Sequence, residues 1–203
     1  MPTYRDFYRR SIDDRDVFVI CRGILRELLG QYLGRDASTI NFCSGPFGKP
    51  EIAGLPDHGP LYFNASRSGG FAVYAVTSAG PVGVDIERVR RIADFDFIAS
   101  RFFSPLDAGR LMALPPDRQM DEFFVCWTRR EAFVKATGEG LGRAEVDLGA
   151  RACPRVGGDS HLPAPWQFEV LRPAVGYVGA LAHRAEDARV RQLSVSNSTV
   201  SHP

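Results

Sequence analysis

The segment from Phe71 to Glu87, FAVYAVTSAGPVGVDIE, limits the fold more than any other stretch of this chain. It reads as a buried strand, a turn and the start of a second strand whose apolar run then meets two carboxylates. Side chains of a strand alternate between its faces, so Val84 and Ile86 point to the core while Asp85 and Glu87 project together. Two like charges side by side repel unless something positive lies between them. Asp85 and Glu87 therefore either mark where the strand surfaces or form half of a site.

The strongest helix lies downstream, in DEFFVCWTRREAFVKATGEGLG, with Asp121 expected at its cap and Gly138 at its end. Trp127, Glu131 and Lys135 are four residues apart and line one stripe of it. Two readings stand side by side. Glu131 and Lys135 can form an ordinary i,i+4 salt pair, with Asp85 and Glu87 facing solvent at a strand exit. Alternatively, a helix carboxylate opposite two strand carboxylates makes an all-oxygen pocket that suits magnesium, completed by a substrate phosphate, with Lys135 facing the leaving oxygen.

The remainder of the chain supplies partners. VFVICRGILRELLGQYL (Val17 to Leu33) is an amphipathic helix capped by Asp13 or Asp14, with Arg15, Arg22 and Arg26 on its other side. INFCS (40–44) is a short strand and GPFGKPEI a turn-rich loop carrying Lys49. PLYFNASRSGGFAVYAV is a strand, a polar interruption over Asn64 to Gly70 that holds Ser66 and Arg67, and a second buried segment. Helices follow around Asp94–Arg101 and Pro105–Leu114, the latter capped by Ser104. WQFEVL, a RPAVG turn and YVGALA form a closing hairpin, and the tail SVSNSTVSHP reads as disordered.

Composition excludes several classes. With 25 Lys and Arg against 24 Asp and Glu, the net charge of +1 gives no polyanion-binding signature, and nucleic-acid binding is disfavoured. The four cysteines lie far apart; three sit in apolar or helical patterns and read as small buried hydrophobes, so a zinc site is not expected. No apolar run reaches membrane-spanning length and no signal-peptide core opens the chain, so the expected compartment is the cytoplasm. At 203 residues the chain makes one domain or two small halves sharing a core.

Taken together, the motifs resemble those of the 4'-phosphopantetheinyl transferases of the surfactin-synthetase-activating type. GVDIE (Gly83 to Glu87) is similar to their metal motif. WTRREAFVKATGEGL (Trp127 to Leu141) is similar to W-x-x-K-E-A-x-x-K-x-x-G-x-G-L, with Arg130 in place of the usual lysine. FGKP (Phe47 to Pro50) and FNASRSG (Phe63 to Gly69) match the two coenzyme A segments, and FFSP (Phe102 to Pro105) and GYVGALA fit as well. The resemblance runs from about Arg15 to Arg184.

The resemblance implies an α+β fold of two similar halves with pseudo-twofold symmetry, each a small antiparallel sheet on a long helix. Residues 1–87 would form the first half, 88–188 the second and 189–203 a disordered tail. It implies magnesium bound by Asp85, Glu87 and Glu131, and coenzyme A held by Arg15, Arg22, Lys49, Ser66, Arg67 and Lys135. Catalysis would fall to Glu131, Lys135 and Asp85, moving phosphopantetheine to a serine of an acyl, peptidyl or polyketide carrier protein. Arg88, Arg90 and Arg91 would border the carrier or else form a solvated charge run, and the protein would act as a monomer. Phe95, Phe97, Phe102 and Phe103 read as core packing or a docking groove. Two departures stand out. Arg67 replaces the family histidine of F-N-x-S-H-S-G. Family members also carry a further strand and helix ahead of the segment matching Asp14 to Leu33, so the first half is expected to have an open strand edge. The alternative these departures raise is a degenerate member that binds coenzyme A or a carrier and transfers little.

Overall fold

A computed structural model of the chain describes residues 14–45, 48–54, 61–138, 166–184 and 190–191. The stretch following Gly138, the loop at 151–165, residues 192–203 and Phe47 of the FGKP motif lie outside these residues; within the expected tail, Val190 packs against the core that holds Val82 and Val84.

The architecture is two α/β halves, each an antiparallel sheet packed on helices. In the first half, α1 (Asp14–Leu33) lies on the hairpin of β3 (Tyr62–Ser68) and β4 (Phe71–Thr77), with a second small hairpin of β1 (Phe42–Ser44) and β2 (Pro50–Ile52). Its core joins Leu25, Leu28 and Leu29 of α1 to Ile40, Phe63, Ala72, Tyr74 and Val76. Heptad-like spacing of leucines on α1 thus meets the alternating inward face of β4. The Tyr74 hydroxyl donates to the Cys21 carbonyl at 3.0 Å, so the buried phenol is satisfied.

The second half holds β5 (Val82–Arg88), β7 (Tyr177–His183) and β6 (Gln167–Leu171) in the order β5-β7-β6, with α2 (Phe95–Phe102), α3 (Pro105–Met112) and α4 (Pro116–Thr137). The strand that carries GVDIE, drawn above at the close of the first half, hydrogen-bonds along β7, with Asp85 opposite Ala180. Val82, Val84 and Ile86 pack with Val73 and Ala75 of β4, so β5 also shares a core with the first half. The aromatic cluster of α2, α3 and α4 is built around Phe123, with Phe95, Phe102 and Phe103 packed into it while Phe97 stays exposed.

Three readings of the sequence are corrected. Asn64 to Ser68 is not an interruption: β3 runs through it as one strand, and the turn is only Gly69 and Gly70. Asn64, Ser66 and Ser68 are polar yet alternate with the period of a strand, which a reading by hydrophobicity misses. Helix α4 begins at Pro116 rather than at Asp121, because proline needs no hydrogen-bond acceptor in a first turn. Asp121 instead accepts both guanidinium nitrogens of Arg172, at 2.5 and 2.6 Å. Of the cysteines, Cys126 is buried and Cys21 partly so, but Cys43 is exposed, since the two-stranded β1–β2 hairpin leaves it uncovered.

Helix α4 ends as expected at Gly138, in the left-handed region at φ 72°, its N–H bonded to the Val134 carbonyl at 2.9 Å. It lies directly on β5 at Gly83, where a Cβ would strike the Ala132 carbonyl and the Ala136 nitrogen. Backbone cannot yield as a flexible side chain does, so Gly83→Ala is expected to cost about 3 kcal/mol of stability. Urea denaturation checks this; an unchanged midpoint would show that α4 does not approach the strand so closely.

Candidate functional site

The side of β5 that carries Gly83, Asp85 and Glu87 turns toward α4, so the close contact at Gly83 draws the helix carboxylate and lysine over the strand carboxylates. Asp85 is 5% exposed, which removes the reading of a solvent-facing strand exit for it. Its Oδ1 accepts from the Lys135 ammonium at 2.7 Å and from the Ser66 hydroxyl at 2.7 Å, and Lys135 Nζ also donates to Ser66 Oγ at 3.0 Å. Lys135 of α4 therefore pairs with Asp85 of β5, and Ser66 reaches the same carboxylate from the first half. The ordinary salt pair with Glu131 is not formed: Glu131 Oε1 lies 3.2 Å from Arg130 Nη1.

Arg130, the residue that departs from the family lysine, is only 2% exposed. Its guanidinium lies 4.9 Å from the Phe102 ring centre and 5.9 Å from that of Trp127. The planar group stacks where an ammonium could not, so its burial is favoured by aromatic faces as well as by Glu131. Glu87 Oε2 accepts from the Ser68 hydroxyl at 2.9 Å and from Arg90 Nη1 at 3.3 Å. Arg90 thus folds back on Glu87, though all three arginines, Arg88, Arg90 and Arg91, are exposed.

The electrostatics of the carboxylates are dominated by burial. Burial pushes Asp85 above the usual carboxylate range; Lys135 and Ser66 oppose this and Glu87 adds to it. Burial likewise raises Glu131, with Asp85 the next cause, and Arg130 and Lys135 opposing. Asp85 Oδ2 is buried without a hydrogen-bond partner. Among the described residues no three His, Cys, Asp or Glu side chains stand around one metal position as they are oriented here. The donors are nevertheless hard oxygens, one of them orphaned, and a divalent cation would meet that unsatisfied charge.

A cavity of about 420 Å³ opens beside Lys135. Arg22, Ser66, Arg67 and Lys135 give it polar and cationic walls; Phe18, Leu25, Phe63 and Tyr74 give it apolar ones. This brings together four of the six residues expected to hold coenzyme A. Arg15 lies in α1 with its side chain outside the described ones. Lys49 is held elsewhere: its ammonium donates to the carbonyls of Val82 at 3.2 Å and Ala136 at 3.1 Å. It thereby bridges the start of β5 and the end of α4, where the helix dipole favours a cation. Burial lowers its pKa from the ordinary lysine value. Asn64 and Ser68, which touch this site, escaped the sequence reading; their two-residue spacing was the available signal.

A family model described as the 4'-phosphopantetheinyl transferase superfamily matches residues 81–182, the part that contains β5, α4 and β7. The chain is 33% identical over 170 residues to 4'-phosphopantetheinyl transferase HetI of Nostoc sp., covering 84% of this chain and 71% of that protein. It is 39% identical over 137 residues to a 4'-phosphopantetheinyl transferase of Bacillus subtilis, covering 68% and 58%. With 4'-phosphopantetheinyl transferase Sfp of Bacillus subtilis strain 168 it shares 35% over 142 residues, covering 69% and 61%. The matches with the two Bacillus proteins thus span about three fifths of their length. The chain belongs to the 4'-phosphopantetheinyl transferase superfamily. No helix among the described residues is long and apolar enough to cross a membrane.

Asp85 yields a prediction with a defined sign. Its folded pKa lies above its unfolded value, so the ionised carboxylate costs stability. The cost is absent below the unfolded pKa, where both states are protonated, and complete once the pH has risen through the folded pKa. Asp85→Asn mimics the protonated form. Its stability relative to the wild-type chain is expected to increase as pH rises above the ordinary carboxylate value of 3.8. Urea denaturation at each pH measures this; a difference that shrinks with pH would mean that the Lys135 pair outweighs burial.

Proposed function

We propose that this chain transfers 4'-phosphopantetheine from coenzyme A to a serine hydroxyl of an acyl, peptidyl or polyketide carrier protein. The observation that carries the reading is the Asp85–Lys135–Ser66 cluster at the wall of a cation-lined cavity, in a chain of this superfamily. The serine oxygen forms a bond to the β-phosphorus of coenzyme A, the bond from that phosphorus to the bridging oxygen breaks, and 3',5'-ADP departs.

Arg22 and Arg67 face the cofactor's phosphates from the cavity wall, and the apolar side takes the rest of the molecule. Arg67, in place of the family histidine, offers a guanidinium to the phosphate, so binding there depends less on pH than it would with histidine. Lys135 supplies a cation to the leaving oxygen as charge develops on it, and Ser66 and Asp85 hold its ammonium in place. Glu131, on α4 one turn before Lys135, takes the serine proton in this reading. Asp85, Glu87 and Glu131 are the residues that would hold Mg2+, which supplies Lewis-acid stabilisation of phosphate charge. That the chain is of the surfactin-synthetase-activating type is part of this proposal.

Intact-mass analysis of apo carrier proteins incubated with the chain, coenzyme A and magnesium tests the reading. A phosphopantetheine adduct, abolished by EDTA, is expected. Lys135→Ala is expected to lower the transfer rate about a hundredfold or more, since it removes a cation from the leaving oxygen. No adduct on any carrier from the folded wild-type protein would overturn the reading in favour of a member that only binds.

A further inference from the structure

The polar residues of β3 repeat one device at the spacing of a strand. The Val84 N–H donates to Asn64 Oδ1 at 2.9 Å, the Ile86 N–H to Ser66 Oγ at 3.4 Å and the Arg88 N–H to Ser68 Oγ at 3.0 Å. Donor and acceptor are twenty residues apart in each case. These three amides belong to the edge of β5 that does not pair with β7, since alternate residues of an antiparallel strand direct their backbone groups to opposite edges. Strand β3 runs beside that edge, yet its backbone ladder is with β4, from Tyr62 opposite Thr77 to Ser68 opposite Phe71, and β3 and β5 belong to separate sheets. Backbone pairing across the two halves is replaced by side-chain acceptors.

The two serines go further. Ser66 accepts from the Ile86 N–H and donates to Asp85; Ser68 accepts from the Arg88 N–H and donates to Glu87. Each hydroxyl thus joins a backbone amide to the carboxylate one residue before it, and the second pair is the first moved along by one strand period. A hydroxyl suits both roles because it offers a single proton and two lone pairs. Alanine can do neither. Threonine keeps the hydroxyl and favours a strand.

We propose that Asn64, Ser66 and Ser68 form a surrogate strand edge that stitches the two halves along β5, and that Ser68 is the positioning residue of Glu87 as Ser66 is of Asp85. The ladder stands on geometry alone; the role assigned to Glu87 rests on the function proposed above.

Amide hydrogen exchange on the 15N-labelled full chain, without coenzyme or carrier, tests the ladder. The Arg88 amide is expected to be protected in the wild-type chain. In Ser68→Ala its exchange should quicken about five- to tenfold while that of Val84 stays unchanged, and Ser68→Thr should restore the wild-type rate. Asn64→Ala should free the Val84 amide instead. A wild-type Arg88 amide that exchanges as in an unfolded chain overturns the ladder even if Ser68→Ala does not fold, and so does an Arg88 rate indifferent to Ser68→Ala.

For Glu87, Ser68→Ala should raise the magnesium concentration needed for half-maximal transfer about tenfold, with rescue by Ser68→Thr. An unchanged requirement, with the Arg88 amide freed, overturns the positioning role. A wild-type chain that transfers nothing to any carrier overturns the proposed function, while the exchange measurements still decide the ladder.

Discussion

Asp85 is a carboxylate held in a position that water cannot reach, and the arrangement around it follows from keeping that charge. An unpaired carboxylate there would be neutralised or would unfold its surroundings. Lys135 of α4 and Ser66 of β3 meet it at 2.7 Å each, one from each half of the molecule. The charge therefore requires both halves to be in place, and the cavity lies where they meet. Stability alone would be better served by an apolar residue at this position. A costly buried charge behind Ser66 and Lys135, which line a cavity with Arg22 and Arg67, is the mark of a site that trades stability for chemistry.

Close approach makes this pairing possible. Gly83 has no side chain to hold α4 off β5, and Lys49 ties the carbonyls at the start of the strand and the end of the helix to one ammonium. Two small devices thus set the height and the registration of the helix over the strand. Along the opposite direction, Arg130 wedges between Glu131 and the rings of Phe102 and Trp127. The base that the proposed reaction needs is thereby linked to the aromatic cluster under α2. Substituting lysine with arginine at this place is not a neutral exchange, because only the planar group can stack and pair at once.

The side chains as they stand balance charge internally, with Lys135 on Asp85, Arg130 on Glu131, and Ser68 and Arg90 on Glu87. That balance is incomplete, since Asp85 Oδ2 has no partner and both Asp85 and Glu131 are raised toward the neutral form. A buried carboxylate oxygen without a partner is suited to accept positive charge from outside.

Much of this was legible in the residues themselves. Period two in VGVDIE placed Asp85 and Glu87 on one side of a strand, and a spacing of four placed Glu131 and Lys135 on one stripe of a helix, because backbone geometry alone fixes these relations. The closing hairpin, the cap at Gly138 and the turn before β5 were legible for the same reason: they depend on neighbours in the chain. The partner of Lys135 was not. Local spacing offered Glu131, and only the packing of α4 on β5 at Gly83 brought Asp85, fifty residues away, within 2.7 Å. Nor could the chain order reveal that Asn64, Ser66 and Ser68 serve β5, since polar residues in a strand look like a break until the edge they satisfy is known. Sequence determined which side chains face the same way; tertiary packing decided which of them meet, because ion pairs and hydrogen bonds depend on distances that chain separation does not encode.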